Sequence, residues 1–187
     1  DGYDVSYSDL LKTGFDVDHN WIDPILNTPL TKGEVGCFLS HWKAWKQCIK
    51  ANEPCLILED DAIVTDRFSY DDLYKLKAQG YNFVYLGWKE MEKSISINEK
   101  YVKPVYPYWG LAYMITPEAA KILTKGHIIR NIIPVDEYLP KKIEELNVVA
   151  YRENVIVPRS REDGGSNINP SCRYDYFVDF DTHVSVS

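Results

Sequence analysis

Cys55-Leu56-Ile57-Leu58 is an unbroken apolar run that stops abruptly at Glu59-Asp60-Asp61. A strand with one wetted face alternates apolar and polar residues, and this run does not. It has to be covered on both faces, which demands a layered fold. The residues before it supply a cover. Val35, Phe38, Leu39, Trp42, Trp45 and Ile49 recur at helical spacing behind Thr31-Lys32-Gly33-Glu34. That tetrapeptide is a capping box, a hydroxyl with a carboxylate three residues on. The spacing predicts a helix over about 32–51, with Pro54 beyond its end.

The same alternation continues downstream. Ser69 with Asp72 opens a shorter helix that ends near Gly80, and Phe83-Val84-Tyr85-Leu86 is a second buried strand. Residues 88–100 read as a loop bearing Lys and Glu, and residues 109–115 as a third strand. Thr116-Pro117-Glu118 starts a helix with a capping hydroxyl and Pro at the first position, and Gly126 is its expected end. A helix over about 135–146 and strands at 148–151 and 154–157 complete the regular part. Residues 1–30 are turn-rich, and 159–187 form a polar, loop-rich tail. Strands alternating with helices predict an α/β fold with a mostly parallel central sheet flanked by helices, as a single domain over 1–187. Ligands of such sheets bind at the carboxyl ends of strands, so the residues just after 58, 86 and 115 are the first places to look.

Bulk properties narrow the function. A length of 187 residues suits one core. The formal net charge of -7 carries no basic nucleic-acid footprint. No apolar run approaches the roughly 20 residues that span a bilayer, so no transmembrane segment is expected. No leader is visible at Asp1, and the compartment stays open between cytoplasm and secretory-pathway lumen. None of Cys37, Cys48, Cys55 and Cys172 forms a CxxC pair. In a helix, Cys37 and Cys48 would stand about 16 Å apart, too far for a disulfide, so free buried thiols are expected.

Four constellations can carry chemistry. Glu59-Asp60-Asp61 repel one another, and burying them without a cation is costly. A hard divalent ion such as Mn²⁺ or Mg²⁺ removes that cost and leaves positions for diphosphate oxygens. In an extended strand Glu59 and Asp61 would point the same way and share one ion, with Asp60 facing elsewhere; the bland alternative is a solvated turn. Ser40-His41 lies within the Trp-rich helix, where His41 is either a donor to a ligand or a satisfied structural residue. Tyr106, Tyr108, Trp109 and Tyr113 surround Gly110, which fits a sugar's C–H face or a strand edge under a loop. Asp136-Glu137 offers a general base for a hydroxyl proton, or simply negative charge favoured at a helix start.

These residues also resemble a known family. Pro29-Leu30-Thr31-Lys32-Gly33-Glu34-Val35-Gly36-Cys37-Phe38-Leu39-Ser40-His41, with Trp45 and then Leu58-Glu59-Asp60-Asp61, is similar to glycosyltransferase family 25. Tyr108-Trp109-Gly110-Leu111-Ala112-Tyr113 and Pro134-Val135-Asp136-Glu137-Tyr138-Leu139-Pro140 resemble its procollagen type more than its lipooligosaccharide type. The resemblance implies a GT-A-like fold and inverting transfer of a hexose, usually galactose, from a UDP-sugar to a hydroxyl on a protein or glycan, collagen among them. It implies that Glu59 and Asp61 hold Mn²⁺ (or Mg²⁺). It places Ser40, His41, Asp60, Trp109 and Gly110 at donor and acceptor, with Asp136 or Glu137 as the base.

Two departures accompany it. The family's first nucleotide-binding strand has no counterpart after Asp1, so it lies upstream or nucleotide binding is impaired. The tail carries Arg159 and Arg161, which can meet diphosphate, where relatives have a His-containing segment. The alternatives are a carbohydrate-binding or scaffolding domain that has lost catalysis, and a metal-dependent nucleotidyl or phosphoryl enzyme.

Overall fold

The computed structural model describes residues 6–24 and 27–159. Of the predicted tail, Arg159 falls within these residues, whereas Arg161 and Cys172 lie outside them. The chain divides into two compact units.

The first unit contains residues up to Ser40 together with Gly126–Pro134. Its helix α1 (Tyr7–Lys12) starts where the Ser6 hydroxyl accepts from the Asp9 N–H. The segment after it is stitched to the second stretch by backbone bonds. Asp16 N–H donates to the Ile129 carbonyl at 2.7 Å, and Ile132 N–H donates to the Asp16 carbonyl at 3.0 Å. Leu10, Val17, Leu30, Val35, Phe38 and Ile132 are buried. The long helix α2 (Lys32–Ala51) begins here, with the bounds the spacing predicts. Its capping box forms in full: Thr31 N–H donates to Glu34 Oε2 at 2.7 Å, and Glu34 N–H donates back to Thr31 Oγ1 at 3.3 Å.

The second unit contains His41–Lys125 and the chain from Val135 onward. Its strands are β1 (Cys55–Leu58), β2 (Ala62–Val64), β3 (Phe83–Glu92), β4 (Ile95–Ser96), β5 (Tyr101–Lys103), β6 (Tyr106–Ile115), β7 (Val148–Tyr151) and β8 (Ile156–Pro158). Its further helices are α3 (Tyr70–Ala78), α4 (Pro117–Leu123) and α5 (Val135–Lys141). Six strands make one sheet in the order β1-β6-β3-β7-β5-β4, and β2 with β8 forms a separate ribbon.

The fold is α/β, but the sheet corrects the expectation of mostly parallel strands. Only β3 and β7 pair in parallel; β1–β6, β3–β6, β5–β7 and β4–β5 are all antiparallel. The cause is the segment after β3. A parallel neighbour needs a crossover, usually a helix, whereas an antiparallel one needs only a short link. No helix separates β3 from β6, only the small β4 and β5 excursion, so β6 returns reversed. β1, β3 and β7 nonetheless run in one direction, because β1 and β3 both oppose β6.

Two smaller expectations change with it. β3 runs on to Glu92 through the region expected to be loop, because β6 pairs with it along its length. α5 ends at Lys141 rather than near 146, and Pro140 sits in its last turn. Proline removes a helical N–H and crowds the preceding turn.

The core is built on β3 and β6. Val84, Leu86, Ala112, Met114, Val149 and Ile156 belong to one buried cluster. On the other face Phe83 and Tyr113 stack with centroids 4.7 Å apart. Gly87 is where another backbone comes closest. A Cβ there would lie 2.6 Å from the Ile156 carbonyl oxygen. Gly87→Ala is therefore expected to cost about 2 kcal/mol or more in urea unfolding, since a backbone oxygen cannot swing aside.

Candidate functional site

The carboxyl end of β1 and the middle of β6 meet at one edge of the sheet. Leu58 pairs with Ala112, and Glu59 N–H donates to the Leu111 carbonyl at 2.9 Å. Beside this edge the β3–β6 register slips. Gly87 pairs with Ala112 and Lys89 with Tyr108, so Trp109, Gly110 and Leu111 stand opposite Trp88 alone. Such a bulge re-aims side chains at a sheet edge. It holds Trp109 at φ 69°, a left-handed conformation that a bulky side chain rarely adopts. Strain of this kind costs about 1–3 kcal/mol and persists where the surroundings enforce it. The Trp109 ring is exposed, and the Lys89 ammonium lies 5.9 Å from its centroid.

Gly110 brings the next residues together. Its N–H donates to Asp136 Oδ1 at 2.7 Å. A Cβ at Gly110 would lie 3.3 Å from His41 Cε1 and 3.6 Å from Asp136 Oδ1. His41 Nε2 in turn faces Glu59 Oε1 at 3.4 Å. A helix, a strand end, a bulge and the start of α5 thus converge on four residues: His41, Glu59, Gly110 and Asp136.

Their electrostatics follow from burial. Desolvation is the main reason the Asp136 carboxyl is pushed up to about 6, and the Gly110 N–H pulls against it. Glu59 and Glu137 raise it further, while His41 lowers it. Asp61 is raised by burial first and then by the charges of Glu59 and Asp60. Its Oδ1 is buried without a hydrogen-bond partner among the described residues. The acids do not continue the strand. Ala62 N–H donates to the Glu59 carbonyl at 3.1 Å, so they form a turn, and strand alternation is not what relates Glu59 to Asp61. Asp60 is exposed on that turn. Arg159 N–H donates to the Asp61 carbonyl at 2.7 Å.

The remaining candidates lie apart from the four. Glu137 accepts from the Tyr106 hydroxyl at 2.8 Å. Burial and this bond push Tyr106 up to about 12. The exposed Ser40 turns its hydroxyl back onto its own helix and donates to the Gly36 carbonyl at 3.0 Å. Cys37 precedes His41 by one turn, so α2 offers a thiol and an imidazole on one face. Cys37, Cys48 and Cys55 are free thiols, as expected, but only Cys48 is buried; Cys37 and Cys55 are half-buried.

Sequence reasoning missed the support of His41. Tyr113, grouped with the aromatics around Gly110, is fully buried, and its hydroxyl lies 2.6 Å from His41 Nδ1. Trp45 Nε1–H donates to the same hydroxyl at 2.8 Å. These partners are 72 and 68 residues apart, and no local pattern announces such a pair. A concavity of about 470 Å³ away from these residues is lined by Arg67, Lys100, Tyr151, Arg152 and Glu153, among others. Its cations are already engaged, Arg67 with Glu153, Lys100 with Asp72 and Arg152 with Ser96. It therefore competes poorly with the sheet edge as a ligand site.

Comparison with known proteins fixes the family. A model described as glycosyltransferase family 25 (LPS biosynthesis protein) matches residues 12–139. The chain belongs to glycosyltransferase family 25. Three family 25 relatives are informative. A protein of Anopheles gambiae named "Glycosyltransferase 25 family member" is 37% identical over 150 residues, 75% of this chain and 25% of that protein. "Procollagen galactosyltransferase 2" of Homo sapiens is 34% identical over 165 residues, 82% of this chain and 26% of that protein. "Probable inactive glycosyltransferase 25 family member 3" of Rattus norvegicus is 32% identical over 151 residues, 75% of this chain and 26% of that protein. The chain thus spans about a quarter of the length of these curated relatives. Among the described residues, no helix is long and apolar enough to cross a membrane.

Proposed function

We propose that this chain carries the catalytic face of an inverting, metal-dependent glycosyltransferase. It moves a hexose from a UDP-sugar to a hydroxyl on a protein or glycan. The relatives' names favour galactose and a collagen-like acceptor. The observation that carries the reading is the half-buried Asp136 carboxyl, poised near 6 beside Gly110, His41 and Glu59. A base works best when its pKa lies near the operating pH. The common direction of β1, β3 and β7, with the acids at the end of β1, supports a GT-A-like reading.

In the reaction the acceptor oxygen attacks the anomeric carbon, its proton passes to Asp136, and the bond from that carbon to the diphosphate breaks. The pair of electrons leaves with UDP. Asp136 is the better base of the two acids, because Glu137 is occupied by Tyr106. The residues fit a hard divalent ion: Asp61 has a buried, unpartnered oxygen among the described residues, and Glu59 and Asp60 repel it. Glu59 and Asp61 would hold Mn²⁺ or Mg²⁺, which when bound would offset charge on the leaving diphosphate. Trp109 offers its exposed ring to a sugar face, Asp60 serves the donor sugar or ribose, and Ser40 stands beside the donor.

The test is incubation with UDP-galactose, Mn²⁺ and a collagen-derived peptide. UDP release with a β-linked product supports the reading, since the donor linkage is α. Release of pyrophosphate or phosphate instead would indicate nucleotidyl or phosphoryl chemistry. The rat relative's name favours a second reading, a domain that binds donor without turnover. Thermal stabilisation by UDP and Mn²⁺ without UDP release would select it. Gly110→Ala is expected to lower turnover by about tenfold or more with little change in melting, because its Cβ would crowd His41 and touch Asp136.

A further inference from the structure

We infer that Tyr113 and Trp45 are positioning residues that hold His41 in the Nε2–H tautomer, making its Nε2 a hydrogen-bond donor toward the Glu59 carboxylate. This deepens the transferase reading and rests on it for its catalytic meaning, but its measurement does not.

The argument begins with an indole. Trp45 Nε1–H can only donate, and it lies 2.8 Å from the Tyr113 oxygen. That oxygen therefore acts as acceptor toward Trp45. Its own hydrogen has His41 Nδ1 as a close acceptor, 2.6 Å away. A neutral imidazole nitrogen that accepts carries no proton, so the proton sits on Nε2. Nε2 faces Glu59 Oε1 at 3.4 Å, and an ionised carboxylate can only accept. Indole, phenol and imidazole then each donate to the next group in one direction, and the carboxylate accepts at the end.

The opposite tautomer fits worse at both ends. A proton on Nδ1 would point at the oxygen that Trp45 already uses. A bare Nε2 would face a carboxylate lone pair to lone pair. Burial sharpens the choice, since Trp45 and Tyr113 are fully buried and His41 is 4% exposed. The ring has little freedom to turn. It stacks on Tyr113 at 13°, and Tyr113 stacks on Phe83 at 13°.

The consequence concerns the division of labour. The nitrogen of His41 that faces the site is a donor, so His41 steadies Glu59 and leaves proton abstraction to Asp136. The pair on α2 and β6 that sets this lies wholly in the core.

The test is ¹⁵N spectroscopy of the imidazole nitrogens in the intact chain at about pH 8.5, where an ordinary histidine is neutral. Loss of a signal set in His41→Gln assigns His41. The expected result is a pyrrole-like Nε2 and a pyridine-like Nδ1. Tyr113→Phe keeps the ring stack but removes the hydroxyl, and the Nδ1 resonance should move as its accepted hydrogen bond disappears. Trp45→Phe keeps Tyr113 and frees its hydroxyl to reorient, so the two nitrogens should shift toward an averaged pattern; this variant serves if Tyr113→Phe does not fold. Turnover should fall about tenfold in Tyr113→Phe at a nearly unchanged KM, the size expected for one lost hydrogen bond to a functional group. A pyrrole-like Nδ1 or an averaged pair in the unmodified chain would overturn the inference, as would an unmoved Nδ1 in folded Tyr113→Phe. Absence of transfer with the expected spectrum would remove the transferase reading and leave the tautomer assignment standing.

Discussion

Asp136→Asn is expected to lower the rate of the proposed transfer by about 10²–10⁴-fold while making the chain more stable. Both effects have one origin. The Asn oxygen still accepts from the Gly110 N–H, so the geometry survives, but the proton acceptor is gone. The folded carboxyl stands near 6 against an ordinary 3.8, so its charged form is disfavoured by folding. For a carboxyl raised in this way, stability falls as pH rises from about 3.8 to about 6 and is level above. The difference of roughly 2 units corresponds to an upper bound of about 3 kcal/mol, which water reaching the half-buried residue reduces. Urea unfolding at pH 5 and above, without added cation, should therefore show the Asn variant gaining as pH rises and then holding its gain. In the unmodified chain, kcat/KM should fall about tenfold per unit below a pH of about 6. A pH profile flat through that region, or an Asn variant with full turnover, would rule out Asp136 as the base.

Asp61→Ala should erase the stabilisation that UDP and Mn²⁺ together confer. The two ligands supplied at about a hundredfold over their dissociation constants add about 2.7 kcal/mol. For a chain of this size that is a rise in Tm of roughly 5–10 °C. The gain depends on Asp61 because its buried oxygen lacks a partner among the described residues and its charge is repelled by Glu59 and Asp60. Removing the carboxylate relieves that repulsion, so the Ala variant need not be less stable without ligand. Differential scanning fluorimetry of the two chains with UDP, Mn²⁺ and both separates the effects. A full gain retained by Asp61→Ala would place the cation elsewhere, with the thiol and imidazole of α2 as the next ligands to test.

Local signals carried much of the fold. The capping box at Thr31 and the apolar stripe from Val35 to Ile49 specify α2 because both work within a few residues. The apolar runs at β1, β3 and β7 specify strands of common direction, since helices cross between them. Only β3 and β7 are buried as expected: β1 lies at the sheet edge with β6 on one side, and Leu58 is exposed. The reversal of β6 was not legible. It depends on the absence of a crossover helix after β3, and the long pairing that turns 88–92 into strand is made with residues 14 to 19 positions away. The same strand explains why residues after 115 lie away from the site: antiparallel pairing sets Ile115 beside Cys55, at the start of β1, and Ala112 beside Leu58, at its end.

The turn Glu59-Asp60-Asp61 shows where the boundary falls. The sequence by itself determined that three carboxylates end an apolar strand, because an apolar run followed by charge is written in consecutive residues. It also marked Gly110 and Asp136 through their motifs. Only the tertiary structure decided that Gly110, Asp136, His41 and Glu59 meet. That meeting requires a bulge opposite Trp88, a helix start and a reversed strand, none of which is a property of nearby residues. The raised Asp136 and the Trp45–Tyr113–His41 chain are likewise products of burial, and burial is set by what the rest of the chain packs against a residue.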